Sequence, residues 1–108
     1  MQHFELVCIL KPDLTSQIQS KINSNLEKSI NGFGGKILNQ EIWGLKDLSY
    51  TIKKNKKGFY MLFQLDIDPK KISDINKSLN LEENIIRHLA IKVDKHEKLP
   101  TIMGQPKN

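Results

Sequence analysis

Residues 53–67 decide the fold: Lys53-Lys54-Asn55-Lys56-Lys57-Gly58-Phe59-Tyr60-Met61-Leu62-Phe63-Gln64-Leu65-Asp66-Ile67. From Phe59 onward the odd positions Phe59, Met61, Phe63, Leu65 and Ile67 are all apolar, whereas Tyr60, Leu62, Gln64 and Asp66 make a mixed set. Side chains alternate across an extended chain, so this period of two predicts a strand over 59–67 with one face on a core and the other toward something wetter. The lysine-rich stretch Lys53–Gly58 reads as a turn. Before it, residues 36–52 form a second extended segment, imperfect in its alternation, with Gly44 placed where a bend or bulge belongs. Together the two segments predict a hairpin.

Working toward the N-terminus, residues 14–31 carry Leu14, Ile18, Ile22, Leu26 and Ile30 at every fourth position. That is one apolar stripe on a helix, and the fourfold spacing makes it wrap slightly. Asp13 or Thr15 suits its N-cap, and Gly32-Phe33-Gly34-Gly35 stops it. Gln2 to Leu10 is dense in branched and aromatic residues and predicts a strand that is largely apolar on both faces, hence inside a sheet. Phe4, Leu6, Cys8 and Leu10 share one face, and Glu5, Val7 and Ile9 share the other.

Toward the C-terminus, Asp68-Pro69 is a helix start, a carboxylate cap followed by proline at the first position. Ile72, Ile75 and Leu79 give a short amphipathic helix, and Ile85 to Val93 a last strand. The order strand, helix, strand, strand, helix, strand predicts an α+β, ferredoxin-like βαββαβ sandwich: a four-stranded antiparallel sheet with both helices on one face. The domain is expected over residues 1–96, with a flexible C-terminal tail over 97–108 carrying Pro100, Gly104 and Pro106.

The chain of 108 residues is a single-domain length, and one cysteine, Cys8, excludes an intrachain disulfide framework. The opening apolar run Leu6–Leu10 is too short for a signal peptide core, and no segment reaches the length of a membrane span, so a cytoplasmic protein is expected. The formal charge is +5, and of the 17 basic residues only Arg87 is an arginine. Lysine is a flexible point charge, better suited to a diffuse polyanion than to one exact carboxylate or phosphate geometry.

Enzymatic chemistry finds little support. The three histidines, His3, His88 and His96, show no metal-binding spacing, adjacent Glu82 and Glu83 diverge, and no serine sits in a nucleophile elbow. Cys8 alternates with core positions and reads as a small buried hydrophobe. The glycines at 32–35 follow a helix rather than open one, so they are a cap and not a phosphate loop. No cofactor or metal is expected. The pointed feature is charge: Lys53, Lys54, Lys56 and Lys57 fall on one hairpin tip, opposed only by Asp47, and Arg87 and Lys92 lie on the last strand. Such a turn is either a solubilising loop or a contact to a phosphate backbone, and mutual repulsion favours the second. Trp43 packs over a sheet rim or meets a partner.

Several segments in order carry a family likeness: His3-Phe4-Glu5 with Pro12-Asp13; Gly35-Lys36-Ile37; Glu41-Ile42-Trp43-Gly44; Leu48-Ser49-Tyr50-Thr51-Ile52; Lys57-Gly58-Phe59-Tyr60; and Asn84-Ile85-Ile86-Arg87-His88. Over residues 2 to about 98 the sequence resembles the bacterial ribosomal protein S6 family. The resemblance implies a non-catalytic structural constituent of the small ribosomal subunit that binds the central domain of small-subunit rRNA and pairs with protein S18. It further implies rRNA contacts at Lys53, Lys54, Lys56 and Arg87, with Lys92 close by, and the charge of the turn adds Lys57 to the expected rRNA-binding set. Partner contacts would fall on Trp43, Tyr50, Tyr60 and Leu62. The chain departs from the family in having Leu45-Lys46-Asp47 after the Trp-Gly step, Thr51 in place of a usual proline, and almost no arginine.

Two alternatives use the same fold. An RRM-like module would stack single-stranded bases on the third strand, which Lys57-Gly58-Phe59-Tyr60-Met61-Leu62-Phe63 partly echoes. Parity opposes it, because Phe59 and Met61 are in phase with the expected core. A homo-oligomeric interaction module would apply the open sheet face to itself. A small-ligand enzyme on this fold would need a convergent polar pocket that the sequence does not supply.

Overall fold

The computed structural model describes residues 1–96; the tail expected over 97–108 lies outside them. The described chain runs β1 (Gln2–Leu10), α1 (Ser16–Gly32), β2 (Lys36–Ile52), β3 (Asn55–Ile67), a 3-10 turn (Pro69–Lys71), α2 (Ile72–Asn80) and β4 (Ile85–Lys92). The strands form one antiparallel sheet in the order β2-β3-β1-β4, the arrangement that two crossovers joined by a central hairpin require.

The central pair is regular from end to end. Leu6 faces Phe63, Cys8 faces Met61 and Phe4 faces Leu65, so one apolar row from each strand points to the same side. Those residues join Ile22, Leu26 and Ile30 of α1 and Ile75 and Leu79 of α2 in a single core, which places both helices on one face. Ser29 and Ser78 meet through their hydroxyls at 3.3 Å and tie the helices together. Burial pushes the Cys8 thiol up to about 12, so it is an inert part of this core.

Local chemistry explains the element ends. Thr15 accepts from the Ile18 N–H at 3.2 Å and caps α1, the later of the two expected cap residues. Four residues advance a helix by more than a full turn, so the stripe rotates off the core: Ile22, Leu26 and Ile30 are buried, while Ile18 stands exposed one turn earlier. The Asp68 carboxylate accepts from the Lys70 N–H at 3.0 Å, and the segment opens as a 3-10 turn before continuing as α2.

The hairpin departs from expectation at its tip. Strand β3 begins at Asn55, so Asn55–Gly58 are paired strand and only Lys53 and Lys54 make the turn. Both turn residues have positive φ, 48° and 68°, the backbone sense that matches strand twist in a two-residue connection. The Asn55 side-chain amide braces it by donating to the carbonyls of Ile52 and Lys53. Gly44, with φ of 81°, sits at a register shift in β2, as its position suggested. A larger shift follows: between the pairs Asp47–Lys57 and Ile52–Asn55, four residues of β2 oppose the single residue Lys56. This long bulge bends the hairpin.

Gly58 lets the bent hairpin approach β1. A Cβ built there would lie 2.3 Å from Ile9 Cγ2 and 3.5 Å from Leu48 Cδ2. Gly58→Ala is therefore expected to destabilise the chain by about 2 kcal/mol in urea unfolding, the range for overpacking a closed site. Truncating the clashing group in Gly58→Ala/Ile9→Ala should recover part of that loss relative to the sum of the single variants; strict additivity would refute the close approach.

His88 supplies a second test. On the helix side of β4, opposite Cys8, its Nε2 meets Asn80 Oδ1 at 2.7 Å while Nδ1 is buried without a hydrogen-bond partner. Desolvation, with a smaller contribution from Lys53, holds its pKa below the ordinary value of 6.5. A base whose folded pKa is depressed takes up its proton preferentially in the unfolded chain. Its contribution to stability is intact above about pH 6.5 and declines as the pH falls below that. The gap in stability between the native chain and His88→Gln should narrow on acidification over this range, and a constant gap would count against it.

Candidate nucleic-acid and partner interface

The sheet face away from the helices carries Glu5, Val7 and Ile9 of β1, Tyr60, Leu62 and Gln64 of β3, and Arg87, Leu89 and Ile91 of β4. Register alone brings these together: Ile9 pairs with both Tyr60 and Arg87, and Val7 with both Leu62 and Leu89. The long bulge of β2 swings Leu48, Ser49 and Tyr50 over the same end of the face. The result is a groove of about 280 Å³ whose walls are Tyr50 and Leu48 on one side and Arg87 and Leu89 on the other, with Val7, Ile9 and Tyr60 below.

Arg87 Nη1 donates to the Tyr50 hydroxyl at 3.4 Å, a bridge across the groove between the hairpin and the edge strand. One expected RNA contact and one expected partner contact thus share a hydrogen bond. Arg87 is itself exposed and Tyr50 engages it through Nη1, which leaves further guanidinium donors facing solvent. Lys53 and Lys54 project from the turn just beyond Tyr50. Lys56 and Lys57 follow on β3, and all four side chains are exposed. Lys57 reaches Asp47 at 3.9 Å, but both groups are solvated and water screens the pair, so the tip keeps its positive field.

Trp43 and Tyr60 also lie together on this face. Their rings stack at 6.2 Å between centroids and 22° between planes, and the indole N–H donates to Glu41. Trp43 is half-buried over the open face, outside the helix-side core.

Two expected site residues stand elsewhere. Leu62 is only 2% exposed: β3 is a central strand, and Leu62 is flanked by Val7 and Glu41 in register. It supports the face from beneath and offers a partner no surface. Lys92 pairs with Phe4, which is a core-facing residue, so Lys92 points to the helix side at the far end of β4 from Arg87. The odd spacing from 87 to 92 puts them on opposite faces.

Residues that the sequence reading passed over are Leu89 and Ile91, which are 53% and 45% exposed in line with Arg87. The alternation Arg87, Leu89, Ile91 was the available signal. An apolar row on an edge strand, next to a cationic tip, makes a composite surface, positively charged at one margin and apolar in the middle.

Comparison with known proteins agrees with this architecture. The family model for ribosomal protein S6 matches residues 3–92. The small ribosomal subunit protein bS6 of Granulibacter bethesdensis is 36% identical over 103 residues, covering 95% of this chain and 67% of its own length. The protein of the same name from Rhizobium etli is 33% identical over 108 residues, covering all of this chain and 71% of its own length. The chain thus spans about two thirds of the length of these relatives. The crystal structure of 30S ribosomal protein S6 from Thermotoga maritima superimposes with a TM-score of 0.80 at 22% identity, over 85% of this chain and 87% of that one, and so shares its fold. On this match and on these relatives, the chain belongs to the ribosomal protein S6 family.

Proposed function

We propose that the chain is a non-enzymatic structural constituent of the small ribosomal subunit in the cytoplasm, binding the central domain of small-subunit rRNA together with protein S18. The observation that carries the reading is the groove in which Tyr50 and Arg87 join the lysine turn to an exposed apolar row. A protein partner covers Leu89, Ile91 and the Trp43–Tyr60 pair, and folded RNA runs along Lys53, Lys54, Lys56, Lys57 and Arg87. Lysine contacts to phosphates set affinity and orientation without reading sequence, and Arg87 alone offers a planar fork for a paired hydrogen bond. Lys92, on the other face, belongs to neither set.

An RRM-like mode receives less support. Phe59 and Met61 belong to the helix-side packing, and of the aromatic groups over the open face Tyr60 and Trp43 are already stacked on each other while Tyr50 stands at the groove wall, hydrogen-bonded to Arg87. A self-associating module remains a distinct outcome that size-exclusion chromatography of the chain with and without S18 separates.

Replacing Lys53, Lys54, Lys56 and Lys57 together by alanine should weaken binding to a central-domain rRNA fragment. It should also reduce the slope of log K against log salt by up to about 3. An unchanged affinity and slope at matched ionic strength would remove the lysine turn from the interface. Because the apolar row needs a cover, the isolated chain should bind this RNA weakly and gain affinity sharply when S18 is added. Equal binding in both cases would reject the paired mode.

A further inference from the structure

At the opposite end of the open face from the lysine turn, three metal-ligating side chains converge. His3 of β1 stands directly across from Asp66 of β3 in the antiparallel register, so two of the three are positioned by the most regular pairing in the molecule. The third, His96, arrives on the segment after β4. That segment is tied to β1 by the Val93 N–H, which donates to the His3 carbonyl at 2.9 Å.

Both imidazoles address the same carboxylate oxygen. His3 Nδ1 is hydrogen-bonded to Asp66 Oδ1, and His96 Nε2 lies 3.0 Å from that atom. The two rings are 4.7 Å apart between centroids and tilted by 57°. One ligand atom from each residue lies within 4.8 Å of the other two.

We propose that His3, Asp66 and His96 form a binding site for a divalent transition-metal ion of the zinc type, with three protein ligands and one position open to water or to a donor from another molecule. Two neutral imidazoles and a carboxylate are a donor set that suits Zn²⁺ and is poorly suited to Mg²⁺, which prefers oxygen. Around a tetrahedral ion with bonds of about 2.0–2.2 Å, ligand atoms stand roughly 3.3 Å apart, so each imidazole would open slightly from Asp66 Oδ1 while the two ring nitrogens, within 4.8 Å of one another, draw together. The ion would take the place now held by the two hydrogen bonds. The side chain of His96 is 12% exposed and that of Asp66 23%, which gives partial shelter, while His3 at 43% leaves an entry path.

Bound there, the ion would join β1, β3 and the segment beyond β4 at one point, linking residues far apart in the chain. It lies away from the RNA surface proposed above and stands independently of that reading.

The test uses the untagged full chain, stripped of metal, with Zn²⁺ as the probe. Competition against a chromophoric chelator should show one ion per chain, and Zn²⁺ should raise the thermal unfolding midpoint where Mg²⁺ does not. His3→Gln and His96→Gln should each lower the Zn²⁺ affinity by more than about a hundredfold, beyond the cost of altering a merely supporting partner. His88→Gln, on the helix side, should bind as the native chain does. Asp66→Asn should behave like the histidine variants; if it fails to fold, His3→Gln still decides, because its side chain lies outside the core and is the most exposed of the three. Absence of Zn²⁺ binding, or binding that survives both His3→Gln and His96→Gln, overturns the proposal.

Discussion

The unbroken pairing of β1 with β3 is the constraint on which the rest of the molecule depends. Side chains alternate along a strand, so slipping this pair by one residue would carry Leu6 and Phe63 away from the helices and bring Glu5 and Gln64 beneath them. The register is held because the alternative buries charge and exposes the core. Everything on the open face inherits its place from this one alignment. Tyr60 stands beside Ile9 at one end, and His3 stands beside Asp66 at the other. The two outer strands then differ in kind. Strand β4 follows β1 with one irregularity near Leu10, whereas β2 shifts register three times against β3. Regularity in the middle and irregularity at the rim is how this sheet combines a fixed core with a shaped surface.

Charge is distributed to match. The helix-side core is apolar throughout, and its cysteine is held neutral. Positive charge collects at the hairpin tip, where the bulge carries it past the end of β1 and over the start of β4. Arg87 differs from the lysines in being anchored, through Tyr50, to the element that carries them. A guanidinium with such a contact starts from fewer conformations than a free lysine ammonium, so the one arginine is the more ordered charge of the two groups.

Much of this was legible in the residues, for identifiable reasons. Strands β1 and β2 have the bounds that their composition predicted, since period-two patterning and flanking glycines or proline mark strand limits well. The bulge at Gly44 was legible because glycine in a strand has few other uses. The start of β3 was not, because Asn55-Lys56-Lys57-Gly58 has turn composition, and its pairing arises from the bend in the partner strand. Leu62 was misplaced for a related reason. Alternation tells which face a residue is on, and it says nothing of how deeply neighbours on both sides enclose it. Lys92 illustrates the converse, since proximity to Arg87 along the chain hid an odd spacing that puts the two on opposite faces. Leu89 and Ile91 were overlooked because apolar residues on a strand read as core until the number of covered faces is known. The meeting of His3, Asp66 and His96 joins three distant segments, and local spacing carries no trace of it.

The turn at Lys53 and Lys54 carries a local backbone cost that the hairpin has to absorb. Left-handed backbone is taken up readily by glycine and asparagine and only at a cost of about 1 kcal/mol by residues such as lysine. An Asn-Gly pair there would serve the isolated fold better in every local respect. Two lysines hold charge at the tip against the local preference of the turn. At residues that sit against their own conformational preference in this way, local backbone energetics does not decide the residue type, and the fold holds a left-handed turn that the pairing of β2 with β3 imposes.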